Sequence, residues 1–150
     1  MGKLRSSKRF YIFLCYLGSV IIGMQSAGYQ AILYDIAAEF SMSATGQGTL
    51  AAIQYISGLV VPLVFGGLAD RFRKRDVICV FAAVYVAGSL LAVFSGSQVV
   101  FSIAVFVVGA AFSMLGALFP ASIVETDPAN GARNNSLQNV FFSIGAVASP

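Results

Sequence analysis

The sequence predicts an all-α protein, a polytopic bundle of membrane-spanning helices. Three observations carry this. Hydrophobic residues make up 58% of the 150 residues and charged residues only 10%, where a soluble domain is about one quarter charged. Uncharged runs long enough to cross a bilayer recur along the chain. The basic residues fall between alternate runs rather than on one face of a soluble scaffold, so the net charge of +3 is a topology signal and not a nucleic-acid footprint.

The same composition excludes much chemistry. There is no His, which removes the commonest general base and metal ligand. Cys15 and Cys79 both fall in apolar runs, where a thiol is expected to behave as a small buried hydrophobe. No Cys/His, Ser/His or paired-carboxylate arrangement is present, so no enzyme, cofactor or metal site is expected.

Lys3, Arg5, Lys8 and Arg9 precede a first span, Phe10 to Leu33, that carries no charge. It is too long for the apolar core of a signal peptide, about 7–15 residues, and further spans follow. Met1-Gly2 with Ser6 fits an N-myristoylation pattern, but such an anchor is redundant on a chain that already spans the bilayer. Within the span, Gln25 stacks over Tyr29 and Ser26 over Gln30, one turn apart. An amide facing lipid lacks partners, so this stripe is expected to face other helices or a water-filled cavity. Interhelical hydrogen bonding and cavity lining both fit it.

Asp35 and Glu39 close the first helix as a solvated end. A short Ser/Thr/Gly-rich connection, Phe40 to Gly48, leads on, with Ser43 or Thr45 as candidate N-cap. The second span, 47–69, holds Gln47 and Gln54 on one face and Pro62 in its interior. Pro62 frees the carbonyl of Gly58, a kink that membrane helices tolerate when a neighbour satisfies the freed group. Ala51, Gly58, Gly66 and Gly67 are expected to admit a close backbone.

Next comes a compact charged loop, Gly66 to Asp76, holding Asp70, Arg71, Arg73, Lys74 and Arg75. The third span, 77–94, is almost wholly apolar and is expected to face lipid. After the turn Ser95 to Gln98, the fourth span covers 99–124, with Gly109, Ser113 and Gly116 as a close-packing face and Pro120 near its end. A polar connection from Glu125 to Arg133 precedes a fifth apolar helix, from about 137, that the chain leaves unfinished.

Four crossings place all nine Lys and Arg on one side and none on the other. The positive-inside rule then puts the N-terminus and both charged connections in the cytoplasm, with an inner or plasma membrane as the expected location.

Gly66, then Asp70-Arg71, then Lys74-Arg75 after a second span resembles the loop signature of the major facilitator superfamily of secondary transporters. That signature reads Gly, three residues, Asp, Arg, any residue, Gly, then two basic residues. This chain departs from it once, with Arg73 in place of the second Gly. Glu125, Pro128 and Arg133 resemble the family's next cytoplasmic loop, and Gly145 to Pro150 the Gly-Pro region of its fifth helix.

The resemblance implies that residues 1–150 form part of the N-terminal half of a fold with two six-helix halves around a cavity. Its implied partners are the lipid bilayer, a small solute and the missing C-terminal half, and the chain is not expected to transport unaided. Asp70 is implied to be a conformational latch biasing an alternating-access equilibrium. Its carboxylate at a helix C-terminus needs a compensating cation, for which Arg71 or Arg75 is suited. Gln25, Tyr29, Gln30 and Gln54 are the cavity candidates. Drug exporters of the family usually carry an Arg four residues before the Gly matched by Gly109; this chain has Val105, so the resemblance does not single out a drug antiporter over a sugar, organic-anion or other solute porter. The alternative is a small tetraspan subunit without transport activity of its own.

Overall fold

The computed structural model describes residues 2–149, with the side chains of residues 2–7 and 68–70 outside the description. Met1, Pro150 and the side chains of Lys3, Arg5 and Asp70 thus lie outside the described residues. The elements are α1 (Gly2–Glu39), α2 (Ala44–Arg71), α3 (Lys74–Val93), α4 (Gln98–Thr126), a 3-10 turn (Pro128–Asn130) and α5 (Gly131–Ala148). Four stretches, Lys8–Glu39, Ala44–Gly67, Lys74–Val93 and Gln98–Thr126, are long and apolar enough to cross a membrane. Among the described residues the fold is all-α, with four membrane-spanning helices and a partial fifth. The fifth helix starts at Gly131, ahead of the apolar run at 137, because Asn134 and Gln138 are buried and extend the packed face toward its N-terminus.

The helix ends follow from local chemistry. At the end of α1, Met42 N–H bonds the carbonyl of Ala37 at 2.8 Å and Ser41 N–H that of Ala38 at 3.1 Å. This pair of bonds is a Schellman closure, with Ser41 at a φ of 50° in the position that usually belongs to Gly. Ser43, not Thr45, caps α2: its hydroxyl accepts the N–H of Gly46 at 3.3 Å, while Thr45 lies within the helix. Ser97 caps α4 in the same way through Val100 N–H at 3.4 Å.

The chain divides into two compact units, Met1–Ala31 with Phe119–Pro150, and Ile32–Leu118. In the first, α1 and α5 run parallel. The Tyr16 ring stacks on Phe141 at 4.9 Å, and further along Gly28 faces the hydroxyl of Ser149. Between these points the two backbones touch: a methyl group on Gly23 would strike the Phe142 carbonyl, and one on Gly145 would strike the Val20 carbonyl. Gly18 holds the edge of the Phe119 ring from the end of α4.

In the second unit α2 and α4 also run parallel. Gly109 lies against Ser57 and the backbone of Gln54, and Gly58 against Ser113. Pro62 withdraws the N–H that would bond Gly58, and the Ser113 hydroxyl donates to that carbonyl at 2.6 Å. Gly88 of α3 fits against Val107 and Val108 of α4. Half of the most apolar window of α4 is buried and only 11% of that of α3, so α4 is a core helix and α3 a peripheral one.

Three of the expected close contacts are absent. A methyl group at Gly66, Gly67 or Gly116 would meet open space among the described residues. Helices that cross have one point of closest approach, and here it falls at Gln54–Gly58 against Gly109–Ser113. Cys15 is buried as expected, but Cys79 is exposed because α3 is peripheral.

Candidate functional site

The charged connection is two helix ends joined by a short turn rather than a loop. Gly66 to Arg71 close α2, Lys74 to Asp76 open α3, and only Phe72 and Arg73 lie outside a helix. Arg71 sits in the last turn of α2, where a cation complements the helix dipole, and Asp76 in the first turn of α3, where an anion does. Arg73 is the N-cap residue of α3, at φ −64° and ψ 121°. That backbone is open to any L-residue, so the departure from Gly at this position carries no strain. Arg71, Arg73 and Arg75 are exposed and Lys74 is half-buried. The Asp70 backbone belongs to the last turn of α2, and its carboxylate lies outside the described residues.

The polar stripe of α1 is only partly enclosed. Gln25 and Tyr29 are half-buried, and the Gln25 Oε1 and Tyr29 Oη atoms are buried without a hydrogen-bond partner. Gln30 is exposed. Gln54 belongs to the other unit. Its backbone carbonyl accepts the Ser57 hydroxyl at 2.8 Å, while its Oε1 is buried and unpartnered. Gly109 allows this arrangement, since a side chain there would run into Ser57 and the Gln54 backbone.

Sequence reasoning missed two further groups in the first unit. Ser122 and Gln138 are almost fully buried, and their Oγ and Oε1 atoms lack partners. The signal for Gln138 was present, an amide set in an apolar run, as for Gln25. Ser122 gave none, because a serine in a helix commonly returns its hydroxyl to its own backbone, as Ser19 does to the Cys15 carbonyl at 2.9 Å.

The connection after α4 is built around Asp127. Its carboxylate accepts Asn130 Nδ2 at 3.0 Å and Asn134 Nδ2 at 3.2 Å, and Tyr16 Oη donates to the Asn134 carbonyl at 3.4 Å. Glu125 and Arg133, the residues singled out by the sequence, are exposed on either side of this cluster. No group of three or more His, Cys, Asp or Glu is placed to hold a metal ion among the described residues.

Comparison with known proteins fits this architecture. The chain is 22% identical to the glucose transporter GlcP of Staphylococcus epidermidis over 97% of its own length and 33% of that protein's. It is 22% identical to a D-xylose transporter of Levilactobacillus brevis, over 83% of this chain and 27% of the relative. An uncharacterized protein of Caenorhabditis elegans is 26% identical over 68% of this chain and 20% of its own length. The chain thus spans a third or less of the length of these relatives. No solved structure matches it. The sequence profile of the Major Facilitator Superfamily matches residues 15–150, nearly the whole chain, and the protein belongs to that superfamily of transporters.

Proposed function

We propose that the chain is the N-terminal part of a secondary transporter that moves a small, uncharged, hydroxylated solute by alternating access. The observation that carries this reading is the set of buried, unpartnered oxygens of Gln25, Tyr29, Ser122 and Gln138 in the first unit. Two of these are amide acceptors, which a solute hydroxyl satisfies by donating. No Lys, Arg, Asp or Glu lies within Val99 to Val124 or Phe10 to Leu33 to recognise a charged solute. Glucose and xylose, named for two similar bacterial transporters, have this chemistry. The other half of the cavity comes from the remainder of a longer protein.

The N-terminus and the α2–α3 and α4–α5 connections face the cytoplasm, on the strength of the one-sided basic residues. Asp70 acts as a latch whose contacts differ between the two access states. Uptake of labelled D-glucose and D-xylose into proteoliposomes of the full-length protein tests the solute class. Saturable uptake that each sugar inhibits for the other is expected. Exclusion of both, alongside transport of a charged solute, would sink it. Orientation is read from a cysteine at Ser41, which an impermeant maleimide should label in intact cells of a Cys79→Ser background.

A further inference from the structure

We propose that the Phe72–Arg73 turn is a docking site for the headgroup of an anionic phospholipid. Arg71, Arg73, Lys74 and Arg75 crowd around it. Counting Asp70 and Asp76 against these four basic residues leaves a net charge of +2 on the segment. Between the first two arginines, Phe72 is 60% exposed. An exposed aromatic ring flanked by guanidinium groups suits the boundary between headgroups and acyl chains, where ring and cation each find their preferred medium. Clusters of about four or more basic residues beside a membrane span attract anionic lipid.

The geometry selects lipid over a soluble acidic partner. Only Phe72 and Arg73 lie outside the helices, and the membrane-crossing stretch of α3 begins at Lys74. The crossing stretch of α2 ends at Gly67, so one further helical turn and these two residues join the two crossings, which keeps the turn at the bilayer surface. Arg73 makes the feature particular to this chain. It stands where the superfamily's signature usually has Gly, in a backbone conformation that needs no Gly, and adds a cation next to the ring. The inference does not depend on the transported solute.

The test is lipid retention by the purified full-length protein. It is titrated with phosphatidylglycerol or phosphatidylcholine and the bound lipid is read by native mass spectrometry. Wild type is expected to retain phosphatidylglycerol in preference. Arg73→Gly should lower that retention about five-fold, the worth of one cation beside an anionic leaflet. Phe72→Ser should lower retention of both lipids. Melting in phosphatidylcholine, equal for all three proteins, shows that the variants fold. Unchanged phosphatidylglycerol retention in either variant overturns the proposal. So does displacement of the lipid by millimolar inorganic phosphate, which would make the turn a free-anion site.

Discussion

Ser113 of α4 gives its hydroxyl to the Gly58 carbonyl of α2 at 2.6 Å, the group left without an N–H by Pro62. A proline in a membrane helix needs such a donor, because lipid offers none. Ser113→Ala should lower stability by about 1 kcal/mol, the usual worth of a hydrogen bond between membrane helices. In a Pro62→Ala background, where the helix satisfies its own carbonyl, the same change should cost little. Melting in detergent over this double-mutant cycle measures the coupling; equal costs in both backgrounds would refute it.

The backbone contacts of α1 with α5 leave no room for a side chain. Gly23→Ala and Gly145→Ala are each expected to destabilise by about 1–3 kcal/mol, the usual cost of overpacking. Gly116→Ala, which meets open space, should be close to neutral or slightly favourable through helix propensity. Melting temperatures of the three variants check the ranking.

Ser41 occupies a left-handed conformation, φ 50°, that costs an L-residue roughly 1 kcal/mol relative to Gly. Ser41→Gly should stabilise the α1–α2 connection by that order, seen as a raised melting temperature with unaltered transport.

Gln138 is buried with an unpartnered Oε1. Replacing a buried, unsatisfied amide with an apolar group of similar size relieves a desolvation cost of about 1–3 kcal/mol. Gln138→Leu should therefore hold or raise stability, and lower solute affinity if the amide serves the cavity. A variant with raised KM and an unchanged melting temperature separates the binding role from a packing role.

For Asp70, the expectation is a shift in conformational populations. Asp70→Asn should alter the accessibility of cysteines placed on the two sides of the membrane and the apparent affinity together. Unchanged accessibility would remove the latch.

The spans were legible because charge and apolar run length are one-dimensional properties. Arg71 to Asp76 can only sit at a membrane face, wherever the helices pack. Pro62 likewise announced that the Gly58 carbonyl would need a donor, but not that Ser113 would supply it, since that depends on where two helices cross. The glycines show the same limit. Gly109 and Gly116 look alike in sequence and lie two turns apart, yet only Gly109 meets another helix. The polar stripe on α1 was readable as a stripe, while the enclosure of Ser122 and Gln138 came from packing. The tight α2–α3 turn was hidden because charged residues at helix ends read as loop.

The reciprocal fit of Gly23 on Phe142 and Gly145 on Val20 has a mechanical meaning. It is a joint cut from both sides: sliding one helix along the other by about one turn would bring a Cβ of Ser19, Ala27, Phe141 or Ser149 onto the facing backbone. The joint resists shear but permits the pair to tilt together. Within this unit, the facing parts of α1 and α5 are held in register as one strut.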